Sequence, residues 1–171
     1  MSINVEPDRL PPFPPNDPLL FGRADRFVNA LAQCRELGIR TVAAAPGELI
    51  LELPYQEKIV GNPQTRVIHG GAITTLMDTT CGSCVICALP DFELCPTLDL
   101  RVDYMRPAQP GKAVRARATC YRVTSNIVFM RCAAYQDDPT ELVAQCVATF
   151  MRIGKEATPL EFRQLINGGQ L

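Results

Sequence analysis

Apolar and polar residues alternate in five short stretches of the chain, and a run with almost no charge separates the first stretch from the other four. Leu49, Leu51 and Leu53 alternate with Glu48, Ile50 and Glu52, and Pro54 interrupts before 56–60; the pattern predicts an antiparallel hairpin. From Gly70 to Pro90 the only charged residue is Asp78. Two glycines open this run and Leu89-Pro90-Asp91 closes it, which predicts one helix over about 70–88, too short and too interrupted to cross a bilayer. Beyond it, Leu98, Leu100, Val102 and Tyr104 alternate with Thr97, Asp99, Arg101 and Asp103 as a half-buried strand.

Three more strands follow at short intervals. Val114, Ala116, Ala118 and Cys120 share a face of the first, with Arg115, Arg117 and Tyr121 opposite. Val128, Met130, Cys132 and Ala134 line the second, and Leu142, Ala144, Cys146, Ala148 and Phe150 the third, each after a polar turn. Alanine and cysteine on these faces let a helix approach closely. The order of strand, strand, helix and a meander of four strands linked by short turns predicts an α+β domain, with a largely antiparallel sheet of five or six strands wrapped around one central helix.

Ahead of this pattern, six prolines within residues 1–18 predict an extended or disordered arm. Residues 19–44 form a helical extension, in which Leu19, Leu20, Phe27, Leu31, Cys34 and Leu37 recur at mostly helical intervals and Gly38 is placed to end one amphipathic helix. Residues 45–171 make the main domain, and 158–166 add a peripheral helix. With 17 basic and 18 acidic residues, the formal charge of -1 gives no global field for nucleic acid or an anionic membrane. The start of the chain lacks a signal-peptide run, so a soluble cytoplasmic protein is expected, with its eight cysteines as reduced thiols.

Asp78 stands out, because burying an unpaired carboxylate costs roughly several kcal/mol unless the group serves ion pairing or chemistry. No cation on its own helix is placed to pair with it. The strands, the helix opening with His69-Gly70-Gly71, and Asp78 nine positions after the histidine resemble the hotdog-fold acyl-coenzyme A thioesterases of the phenylacetic-acid-degradation type. The run Thr97-Leu98-Asp99-Leu100-Arg101-Val102-Asp103-Tyr104-Met105-Arg106-Pro107, with its Tyr-x-x-Pro ending and the later Gly111, extends the resemblance over about residues 45–152. Members often carry Asn or Gln six residues before the histidine. This chain has Pro63 there, flanked by Asn62 and Gln64.

The resemblance implies thioester hydrolysis, with Asp78 either activating water or attacking directly. Desolvation should raise its pKa towards useful basicity. The Gly70 and Gly71 amides lie in the first helical turn, where donors lack partners and the macrodipole favours negative charge, so they suit an oxyanion hole; the resemblance favours Gly70. His69, the only histidine, shapes the start of the helix. Asn62 or Gln64 would position the thioester, Thr97 would orient water or the carboxylate, and Arg101 and Arg106 would hold coenzyme A phosphates.

Gly70 and Asp78 are eight residues apart, about 12 Å along a helix, so one chain cannot bring both to one carbonyl. A twofold pair of antiparallel helices could, which makes a homodimer or a dimer of dimers the expected assembly. No cofactor is expected, since neither a Walker A nor a dinucleotide glycine pattern occurs, and no metal, since Cys81, Cys84, Cys87 and Cys95 depart from ferredoxin spacing and read as core thiols. The second function class is a non-catalytic hotdog domain that binds acyl-coenzyme A as a sensor.

Overall fold

In the computed structural model, which describes residues 10–168, six strands form one sheet. They are β1 (Arg40–Ala45), β2 (Glu48–Leu53), β3 (Thr97–Tyr104), β4 (Val114–Val123), β5 (Ile127–Tyr135) and β6 (Leu142–Met151). The spatial order is β1-β2-β4-β5-β6-β3, and every pairing is antiparallel. Four helices accompany it: α1 (Pro18–Ala30), α2 (Ala32–Leu37), α3 (Gly70–Ala88) and α4 (Leu160–Ile166).

The sheet curls around α3. Leu76, Met77, Cys81 and Cys84 of α3 are fully buried in one core with Leu49, Leu51, Val114, Ala116, Ala118, Met130, Ala134 and Ala144. The small residues predicted to face the helix do so. By length and apolarity alone α3 could cross a bilayer, so shortness is not what distinguishes it; its apolar surface is spent against the sheet.

The structure corrects three other expectations. The partner of β2 is β1, which precedes it, while Glu57–Ile59 makes a 3-10 turn and Val60 forms a single bridge to Ile68. Gln56 donates to the Leu37 carbonyl and Lys58 to that of Glu36, which fastens this segment to α2 instead of to β2. The last four strands are not a simple meander: β2 and β5 occupy the two edges of β4, so β3 pairs with β6 and ends the sheet.

The expected single helix before Gly38 is two, broken at Leu31, which takes an extended conformation (φ -77°, ψ 120°). Arg35 Nη1 donates to the carbonyls of Asn29 and Ala30, both at 2.8 Å, and so caps the end of α1. Gly38 ends α2 in the left-handed conformation expected of it (φ 66°). The prolines of the predicted arm fall partly at 1–9, outside the described residues; Pro11 and Pro12 lie over the outer face of the sheet, where their carbonyls accept from buried Arg117.

Candidate active site

Asp78 sits on the third turn of α3, part-buried, and its carboxylate meets the first residue of β3: Thr97 Oγ1 donates to Asp78 Oδ1 at 3.0 Å. Strict alternation would put Thr97 on the outer face with Asp99 and Arg101. Instead the register slips between Thr97 and Asp99, so that Leu98 bulges out and Thr97 lies opposite Phe150 on the inner face. A bulge of one residue reverses the side on which everything before it points.

Burial pushes the Asp78 carboxyl above the ordinary aspartate range; the Thr97 bond opposes this, and the charge of Cys146 adds to it. The carboxylate opens on a cavity of about 360 Å³, whose walls include Ser83 of α3, Phe27 and Leu31 from the helical extension, and Phe92 from the loop after α3. Ser83 Oγ is buried there without a hydrogen-bond partner among the described residues. Neither Ser83 nor Phe92 carried a signal in the sequence beyond its place near Asp78.

The start of α3 forms a second cluster. His69 caps the helix, its Nδ1 accepting from the Gly71 amide at 2.9 Å. The Gly71 amide is thereby engaged, whereas the Gly70 amide has no hydrogen bond among the described residues. Tyr104, at the end of β3, donates to the Gly70 carbonyl at 2.7 Å and meets Thr74 Oγ1. Sequence reasoning placed Tyr104 in a motif without giving it this task. A cavity of about 370 Å³ lies beside Gly70, lined by Val67, Tyr104, Met105 and Arg106.

The remaining predicted residues are dispersed. Asn62 Oδ1 accepts from the amides of Gln64 and Thr65, at 2.9 and 3.2 Å, so its oxygen closes its own turn; Gln64 is exposed beside it. Arg101 is exposed and pairs with Asp103 at 3.1 Å. Arg106 is tied to the Leu142 carbonyl and to Glu141, both contacts on the strap that leads into β6.

The thiols sort differently from their sequence spacing. Cys81, Cys84 and Cys87 are buried as expected, but Cys81 faces Cys132 and Cys146 across the core, with the three sulfurs within 4.8 Å of one another. The two neighbouring thiols hold the Cys146 pKa down, while those of Cys81 and Cys132 rise. Three sulfur donors could ligate a soft ion. Cys84 acts as a thiol donor, to the carbonyls of Gly47 and Ala118.

A model of the Thioesterase superfamily matches residues 66–143, the span from before His69 to the start of β6. A protein of Halobacterium salinarum is 39% identical over 94 residues, which is 53% of this chain and 61% of that protein. The medium/long-chain acyl-CoA thioesterase YigI of Salmonella typhimurium is 27% identical over 140 residues, 74% of this chain and 89% of its own length. Among solved structures, a Pseudomonas aeruginosa protein superposes with a TM-score of 0.73 at 57% identity, covering 78% of this chain and 99% of its own.

Proposed function

The chain belongs to the thioesterase superfamily and has its hotdog fold, and we propose that it hydrolyses acyl-coenzyme A thioesters to a free acid and coenzyme A. The observation that carries this reading is Asp78, a desolvated carboxylate held by Thr97 at the mouth of a largely apolar cavity. Asp78 takes a proton from water as the water oxygen bonds to the thioester carbon. The Gly70 amide receives the oxyanion, and as the carbon–sulfur bond breaks the coenzyme leaves as a thiolate that is then protonated. Asn62 or Gln64 orients the thioester, and Arg101 and Arg106 are the candidates to meet the coenzyme phosphates.

The unit that does this is a dimer, with Gly70 of one protomer facing Asp78 of its partner. Eight residues of α3 keep the two about 12 Å apart within one chain, whereas an antiparallel neighbour would juxtapose them. The surface supports that assembly. β3 ends the sheet with an edge that is unpaired among the described residues, and Leu98, Tyr104, Met105, Val147 and Met151 are large apolar residues exposed on or beside β3 and β6.

Thiol release from short, medium, long and aromatic acyl-coenzyme A esters tests the reading, with Asp78→Ala alongside the wild type. Hydrolysis is expected, with a loss of at least about a hundredfold in the variant. Saturable acyl-coenzyme A binding without hydrolysis of any ester would replace this reading with the sensor.

A further inference from the structure

The cavity beside Asp78 has a direction. Asp17, just ahead of α1, donates its amide to the Ala44 carbonyl, three residues before Gly47, whose own amide reaches the Cys87 carbonyl at the end of α3, while Leu37 of α2 shares a cavity with Ala72 and Thr75 at the start of α3. The extension therefore runs antiparallel to α3, and Phe27, between these two points, lines the same cavity as Gly82 and Ser83. The cavity begins at Asp78 and Thr97 and passes Gly82 and Ser83. It reaches Phe27 and Phe92, whose ring centroids are 5.9 Å apart.

That end is built to stay in place. Phe27 also packs on Phe162 of α4 at 6.1 Å, and Arg26 donates to the carbonyls of Leu165 and Ile166. The loop bearing Phe92 is fixed by buried Glu93, which accepts from Arg152 Nε at 2.8 Å and from the Gly154 amide at 2.7 Å. Leu31 faces the cavity at the helix break.

We propose that Phe27 and Phe92 are the end wall of the acyl-chain pocket and limit it to straight chains of about six to eight carbons; this rests on the reading of Asp78 as the water-activating base. Five residues of helix from Asp78 to Ser83 advance about 7.5 Å. An extended carbon chain advances about 1.2 Å per bond, so a carbonyl at Asp78 puts roughly the seventh carbon at Ser83. The volume of about 360 Å³ is at the small end for ligand pockets, right for an acyl group and not for the coenzyme.

The test is kcat/KM for straight-chain acyl-coenzyme A esters from butanoyl to hexadecanoyl, in the wild type and in Phe27→Ala, Phe92→Ala and Gly82→Leu. A Cβ at Gly82 would meet only Phe150, at 3.4 Å, so a longer side chain there has the cavity to enter. The wild type should peak at hexanoyl to octanoyl. Opening the wall should raise dodecanoyl relative to octanoyl about tenfold or more, and Gly82→Leu should move the optimum to shorter chains. If Phe27→Ala or Phe92→Ala fails to fold, Gly82→Leu decides. Hydrolysis with an unchanged chain-length profile in the folded variants overturns the wall alone; hydrolysis of no ester by the wild type overturns the thioesterase reading and the wall with it.

Discussion

Thr97 reaches Asp78 because the strand that carries it is out of step. With Leu98 bulged from β3 and 53% exposed, Thr97 turns from the outer face to the inner one and donates to Asp78 Oδ1 at 3.0 Å. An apolar residue is left outside the core of its own chain so that a hydroxyl can meet a carboxylate. Bulges recur beside active sites for this kind of re-aiming.

Replacing Thr97 by valine keeps the shape and removes the bond. That bond lowers the Asp78 pKa against the effect of burial, so its loss raises the pKa further. The base must be ionised to act, and the acidic limb of the pH profile of kcat/KM should move to higher pH. Thr97→Ser should restore the limb. A limb that stays in place in Thr97→Val would show that Asp78 does not act as the base.

Asp78→Asn separates function from stability. A carboxyl whose folded pKa is raised contributes stability below its unfolded value, about 3.9, and loses it as pH rises through the folded value. At pH 7 the wild type therefore carries the cost of a desolvated charge that the amide lacks. The variant should lose at least about a hundredfold in turnover yet unfold about 2–4 °C higher at pH 7, a gap that closes below the unfolded pKa. Thermal unfolding at pH 7 and pH 3.5 or so reads this directly.

How much was legible in advance follows from the range of the interactions. The bounds of α3, the inward faces of β4, β5 and β6 and the importance of Asp78 follow from periodicity and from one charge in an apolar run, both local. The partner of β2 was not legible, because β1 reads Arg-Thr-Val-Ala-Ala-Ala and bulges at Val42, which spoils its alternation. The break at Leu31 depends on Arg35 reaching back to two carbonyls, with no glycine or proline to announce it. Thr97 was named from the family likeness, while periodicity placed it on the wrong face. The meeting of Cys81, Cys132 and Cys146 depends on the register of β5 with β6, which spacing alone does not fix.

Gly70 and Gly71 should respond differently to a methyl group. At Gly71 a Cβ would stand 2.9 Å from His69 Nδ1 and displace the imidazole that accepts the Gly71 amide, so Gly71→Ala should cost about 1 kcal/mol of stability through the lost cap. At Gly70 the Cβ would meet Tyr104 Cζ and Oη at 3.1 Å, beside the uncapped amide. The methyl group keeps the N–H but crowds Tyr104 and the approach to the amide, so Gly70→Ala should lower kcat about tenfold or more through misplacement of the substrate carbonyl. Denaturant unfolding and steady-state kinetics on both variants check the contrast, and an unaffected kcat in Gly70→Ala would show that no substrate carbonyl packs closely against this amide.

Arg117 ties the N-terminal arm to the sheet. Only 6% exposed, it donates to Glu48 Oε2 at 2.7 Å and to the carbonyls of Pro11 and Pro12, and it lies over the Phe13 ring at 5.1 Å. Arg117→Ala leaves Glu48 without this partner and should cost about 3–5 kcal/mol in urea unfolding. Arg117→Lys should recover little, since an ammonium cannot reproduce the planar fork and the ring stacking. Near-wild-type stability in Arg117→Ala would mean that the arm is held by other contacts.

A dimeric site would make a demand that no single-chain site meets. If each site takes Asp78 from one protomer and Gly70 from the other, Asp78→Asn and Gly70→Val homodimers are both inactive, for different reasons. A mixed dimer has one site with both defects and one with neither, because Asp78 of the Gly70→Val protomer faces Gly70 of the Asp78→Asn protomer. Refolding the two variants together should give about half mixed dimers with half their sites intact, and so about a quarter of wild-type turnover per site. Sedimentation of the mixture would confirm that dimers formed. Dimers without recovered turnover, or a fully active monomer, would place Asp78 and its oxyanion donor in the same chain.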